Sequence, residues 1–193
     1  MIIDMSTLKK TDNPDLKIKD KVFVSVRKYK KTNFLIIDNL QGQRFALTGE
    51  LDDDLKRDVQ NLLRSVKVIS YDDIIPLAYI CQEMGIAINS YCSVFTLVQQ
   101  LRLPFIMETL LKGLDVKKND IDRLKDICQP VYEGKAKTHT VMDWINAMTD
   151  AEIFCFKACY KKATRYQRHL ASNDRPYQPK ENELNIFDAV SLF

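Results

Sequence analysis

The stretch that most constrains what this chain can fold into is "KVFVSVRKYKKTNFLIIDNLQGQRFALTG", residues 21–49. Val22, Val24 and Val26 alternate with Phe23 and Ser25, the period of two that a strand shows. "NFLIID" follows as a short β-branched run, "NLQG" as a turn and "QRFAL" as a third strand. Three strands this close in sequence predict a meander or a small barrel. At its first turn sits the cluster "VRKYKK". From Lys17 to Lys31 there are seven basic residues against one acid, so Arg27, Lys28, Lys30 and Lys31 are candidates for a nucleic-acid contact.

After Leu51 the apolar spacing becomes helical. Leu51, Leu55, Val59, Leu62 and Leu63 have helical spacing in a stretch that starts with acids, which is favourable at a helix N-terminus. "DDIIPLAYICQEMG" predicts a second helix capped by Gly85. "NSYCSVFTLVQQLRL" predicts a third, with Asn89 or Ser90 as N-cap. "PFIMETLLKG" opens on Pro104 at a favoured first-turn position and closes at Gly113. "KKNDIDRLKDICQ" is expected to stop at Pro130. "THTVMDWINAM" and "TDAEIFCFKACYKKATRYQRHLA" read as two further helices, the second opened by Thr149 and Glu152 in a capping-box pattern. The expectation is therefore an α+β chain: a small β module over residues 1–50, an α-helical domain over 51–171, and a linker with a tail over 172–193.

Three stretches resemble known families. "KDKVFVSVRKYKKTNFLIIDNLQGQRFALTG", within residues 18–49, is similar to KOW and related SH3-like barrel modules of transcription and translation factors, which place a basic turn against nucleic acid or polymerase. Lys21, Val22, Val24, Tyr29 and Lys30 fit, and the flanking glycines of that family are replaced here by charged residues. Residues 74–113, with Pro76, Leu77, Ala78, Gly85, Leu101, Leu103, Pro104, Leu110, Leu111 and Gly113, resemble the helix-turn-helix region of ParB-type partition proteins, although the segment between the two helices is shorter here. Residues 189–193, "AVSLF", resemble the pentapeptides that dock in sliding clamps, with Ser191, Leu192 and Phe193 matching. These resemblances imply DNA as partner, with RNA as the alternative, and a sliding clamp or polymerase engaged through the tail.

The 193 residues are 46% hydrophobic and 28% charged, and 29 basic against 26 acidic side chains leave a formal charge of only +3. A binding surface must therefore come from where the charges sit. The richest cluster is "KACYKKATRYQRH", residues 157–169, with five basic residues and no acid. Lys157, Lys161, Arg165 and Arg168 recur along one helical stripe, with Lys162 beside it and Tyr160 and Tyr166 interleaved. Unopposed cations with aromatics suit phosphate contact and base stacking. The competing reading is the solvated face of an amphipathic helix.

Catalytic chemistry finds no motif. His139 and His169 lack metal-ligand spacing, and the phosphate-loop, dinucleotide and nucleophile-elbow glycine patterns are absent. Asp52 to Asp54 are best explained by capping, and Cys155 and Cys159, one turn apart, by burial. No enzyme activity, cofactor or metal is expected. The odd count of five cysteines without a close pair suggests reduced thiols in a cytosolic protein. No run approaches the roughly 18–20 apolar residues that span a bilayer, so neither a membrane partner nor a secretory signal is expected.

Beyond the polar stretch "ASNDRPYQPKENE" comes "LNIFDAVSLF", in which Ile186, Phe187, Leu192 and Phe193 read either as a hook for a protein partner or as a cover for the chain's own core. The sum of these signals is a largely sequence-nonspecific DNA-binding accessory protein of transcription or replication, of phage or mobile-element type. The alternative is an interaction module that inhibits a host enzyme or clamp without touching nucleic acid.

Overall fold

The computed structural model describes residues 2–5, 9–11, 21–72, 74–87, 91–101 and 103–172. Elements are numbered in chain order: β1 (Ile2–Asp4), β2 (Lys9–Thr11), β3 (Lys21–Tyr29), β4 (Thr32–Asp38), β5 (Arg44–Thr48), α1 (Asp53–Ser65), β6 (Lys67–Ser70), α2 (Ile74–Glu83), β7 (Tyr91–Ser93), α3 (Val94–Gln100), α4 (Met107–Gly113), α5 (Lys118–Tyr132) and α6 (Thr138–Ser172). The expected α+β class holds. The meander is there too, with β3, β4 and β5 paired antiparallel in sequence.

The sheet does not end at residue 50, nor do the strands close on themselves. Seven strands lie in the open order β2-β1-β5-β4-β3-β6-β7. β6 joins β3 in parallel, with Phe23 opposite Ile69, and β7 joins β6 in parallel. Parallel neighbours need a crossover, and here α1 carries the chain from β5 to β6 and α2 from β6 to β7. β3 therefore sits in the interior of the sheet and is covered on both faces.

The two faces follow from strand alternation. Val22, Val24, Val26, Leu35, Ile37, Phe45, Leu47 and Val68 point to one side, where they pack with Val59 and Leu63 of α1, with Leu77, Ile80 and Cys81 of α2, and with Met84 just beyond it. Phe23 and Ile69 point to the other, against Val94 and Leu97 of α3, Leu110 and Leu111 of α4, Ile121 of α5 and Phe156 of α6. Further along that same side Phe34, Ile36 and Ala46 meet Cys128 and Val131 of α5 and Trp144 and Ile145 of α6. The result is a three-layer arrangement, helix on sheet on helix. α2 and α3 thus occupy opposite faces, so the segment that resembles a helix-turn-helix region is divided between them.

Several helix ends differ from expectation for identifiable reasons. Tyr91 to Ser93 form a strand, and Ser93 is the N-cap of α3, its Oγ accepting from the Thr96 N–H at 3.1 Å. α4 begins after Ile106 rather than at Pro104. α5 runs through Pro130 to Tyr132, because a proline in the last turn removes only one backbone bond. The largest difference is α6, one continuous helix of 35 residues where two were expected. Thr149 opens nothing: its Oγ1 donates to the Ile145 carbonyl at 2.8 Å from inside the helix.

What holds α6 on the sheet explains why Glu152 is not a cap. Ser25 and Arg27 lie on the α6-facing side of β3, and Glu152 is 2% exposed. Ser25 Oγ donates to Glu152 Oε2 at 2.8 Å, and Arg27 Nη2 forms a close ion pair with Glu152 Oε1. Arg27 Nη1 also donates to the Val26 carbonyl at 2.7 Å and lies 3.7 Å from Asp72 Oδ2. Burial pushes the Glu152 carboxyl above its ordinary value, opposed by the Arg27 charge. For Arg27 burial acts downward, but Glu152 and Asp72 outweigh it and keep the guanidinium firmly protonated.

Breaking a buried ion pair from one side strands the other charge, which costs about 3–5 kcal/mol. Glu152→Ala is therefore expected to lower unfolding stability by about that much in urea denaturation. Arg27→Met combined with Glu152→Leu is expected to recover most of the loss, because no charge is then left buried alone.

Candidate nucleic-acid interface

The basic residues singled out in the sequence fall into three different environments. Arg27 leaves the surface set altogether: its side chain is 10% exposed and committed to Glu152. The reason is position, since a central strand covered on both faces has no solvent side for an alternating arginine to reach.

The second environment is the tip of the β3–β4 hairpin. Tyr29 pairs with Thr32, so Lys30 and Lys31 form a two-residue turn. Lys30 adopts φ +54°, a left-handed backbone that glycine accepts more readily. Its Nζ stands 5.2 Å from the centre of the Tyr29 ring. The Tyr29 hydroxyl donates to the Ala136 carbonyl at 3.1 Å, tying the hairpin to the loop before α6. Lys28 is half exposed, but its Nζ lies 3.6 Å from Glu83 Oε2. Glu83 also accepts from Asn33 Nδ2 at 2.7 Å, and that bond leads the causes that hold its carboxyl below the ordinary value. The tip thus presents two exposed cations, Lys30 and Lys31, beside one that is already neutralised.

The third environment is α6. Its inward residues Ile153, Cys155, Phe156 and Cys159 are buried, whereas Lys157, Lys161 and Lys162 are exposed. None of the three lysines forms an ion pair with a described residue. The backbone stays helical to Ser172, so positions 165 and 168 continue the register of 157 and 161. The side chains of Arg165, Tyr166 and Arg168 lie outside the described residues, as do Ile186, Phe187, Leu192 and Phe193 of the tail.

These environments do not merge into one surface. α6 runs antiparallel to β3: Tyr29 meets Ala136, Ser25 meets Glu152, and Phe23 meets Phe156 with ring centres 6.5 Å apart. From Phe23 the hairpin tip is about 23 Å away along the strand. From Phe156, Lys161 is about 8 Å away in the opposite direction along the helix. The two clusters are thus separated by about 30 Å, at opposite ends of the sheet.

Other candidate chemistry resolves into structural work. Asp52 caps α1, accepting from the Leu55 N–H at 2.8 Å, while Asp53 and Asp54 pair with Lys56 and Arg57. All five cysteines are free, and burial raises the thiols of Cys155 and Cys159 to about 12 and about 11. Among the described residues no group of three His, Cys, Asp or Glu is placed to hold a metal, and no helix is long and apolar enough to cross a membrane. Sequence reasoning missed the Ser25–Arg27–Asp72–Glu152 network. The available signal was a glutamate set between Ile153 and Ala151 ahead of "FCF", an apolar setting for a charge.

The strained turn offers a test that separates the two basic areas. Lys30→Gly is expected to stabilise the fold by roughly 0.5–1 kcal/mol, since the left-handed conformation no longer opposes a Cβ. A rise in the urea midpoint with unchanged nucleic-acid affinity would be the result if α6 alone makes the contact. Compared with protein-family models, with curated proteins and with solved structures, the chain matches none.

Proposed function

We propose that this chain is a non-enzymatic accessory protein that binds nucleic acid with little sequence preference, through the outward face of the C-terminal part of α6. The observation that carries the reading is the exposure of Lys157, Lys161 and Lys162 without an acidic partner among the described residues. Unpaired cations are the kind that profit from phosphate, because they can displace condensed counterions without first giving up an ion pair. Lys28 beside Glu83 lacks that advantage. Arg165 and Arg168 extend the stripe along the same helical register, which suits a helix lying across a sugar–phosphate backbone.

The described cations of this stripe are all lysines, compact point charges without a planar fork to match a base edge, which supports backbone-directed binding over readout of a sequence. Modulation of transcription or replication is the role that fits such binding, with double-stranded DNA as the first ligand to test.

The expected outcome is salt-sensitive binding of a labelled random-sequence duplex, followed by fluorescence anisotropy. Each phosphate that a substitution leaves without its lysine should reduce the slope of log affinity against log salt by about 0.9. Lys157→Glu with Lys161→Glu should therefore flatten the slope by about 2 and weaken binding. Both sites are exposed, so folding should be untouched. Absence of binding at low salt, or an affinity indifferent to the double substitution, overturns the reading.

A further inference from the structure

A groove of about 380 Å³ opens between α4 and α5, with Met148 of α6 completing its wall. Its apolar floor is made by Met107, Leu111, Leu124, Cys128 and Met148. One large apolar residue of its lining stands exposed, Tyr132 at 74%. Methionines and a thiol make a soft lining that adapts to the shape of an inserted side chain. On the rim, Lys112 and Lys125 share the single carboxylate of Glu108, at 2.7 and 2.9 Å. That shared carboxylate is held down to about 2 by those two lysines, and Glu133, also on the lining, has Lys135 at 3.5 Å.

We propose that this groove is the docking site of the chain's own segment 184–193. Ile186, Ala189, Val190 and Phe193 recur at i, i+3, i+4 and i+7, the pattern of an amphipathic helix that lays one apolar face into a groove. Residues 184–193 hold one acid, Asp188, and no base, and Glu181 and Glu183 stand just before them, which suits a rim that carries Lys112, Lys125 and Lys135. The length also fits. Met148 lies 24 residues before Ser172 on α6, about 36 Å along the helix. The fourteen residues from Ser172 to Ile186 span up to about 46 Å when extended. The chain can therefore return to the level of Met148 with enough left over to cross to the groove. The inference is independent of the nucleic-acid reading.

The experiment uses the full chain with the methionine methyl groups isotope-labelled. The Met107 and Met148 methyl signals are expected to show nuclear Overhauser contacts to the ring of Phe193, assigned by their disappearance in Phe193→Leu. Ile186→Asp with Val190→Asp is expected to shift both methyl signals and abolish the contacts, while Met84, on the opposite face of the sheet, stays unchanged. Tyr132→Asp, at an exposed position, is expected to weaken the same contacts from the groove side. Methyl signals indifferent to the tail substitutions would leave the groove to a separate protein and overturn the proposal. Contacts that appear only between differently labelled molecules, and fade on dilution, would assign it to a second copy and overturn it equally. Contacts untouched by Tyr132→Asp would place the tail elsewhere.

Discussion

A buried ion pair between the middle of the sheet and the middle of the longest helix organises this molecule. Arg27 on β3 and Glu152 on α6 each enter a site where the charge alone would be strongly unfavourable, and each is tolerable only because the other is there. Ser25 satisfies the second oxygen of the same carboxylate. Apolar contacts between a helix and a sheet permit sliding by a turn at modest cost, whereas this pair accepts one register. Through it the register of α6 is set on both sides of Glu152, including where the lysines emerge and where Met148 meets α5.

The sheet around that pair is built from two parts with different logic. On one side of β3 lies an antiparallel meander made from local turns, on the other a parallel extension reached by helical crossovers. Each crossover helix must lie on a face, and α1 and α2 both lie on the face away from α6. That division leaves the α6 side to four helices, and gives β3 a fully covered surface on which polar side chains must find partners inside the protein.

The meander, the helix texture after Leu51 and most helix identities were legible in the sequence because they rest on local periodicity and local chemistry. Val22, Val24 and Val26 alternate visibly, Gly85 does take a left-handed φ at the end of α2, and Asp52 does cap α1. What escaped depends on distant partners. "KVIS" at 67–70 is too short to announce a strand and is one because β3 offers it an edge. Thr149 and Glu152 have the spacing of a capping box, and only the presence of Ser25 and Arg27 more than a hundred residues earlier turns them into helix interior. Of the proposed site, the α6 lysines were readable as a charge stripe without acids. Arg27 was not separable from its basic neighbours, because its burial is a property of strand order.

The span of that same ion pair has a consequence for how the chain acquires its structure. Ser25 and Glu152 are 127 residues apart in sequence, so the contact that registers the two must wait until that length of chain has been made. At ribosomal rates of about 5–20 residues per second, β3 waits roughly 6–25 seconds with a cation and a hydroxyl facing a layer not yet made. Over that interval the meander and its two crossover helices can form a two-layer body whose remaining face is apolar and wet. The late arrival of α6 makes the nascent protein a client for whatever shields such faces, and makes its final folding step a docking event with high contact order.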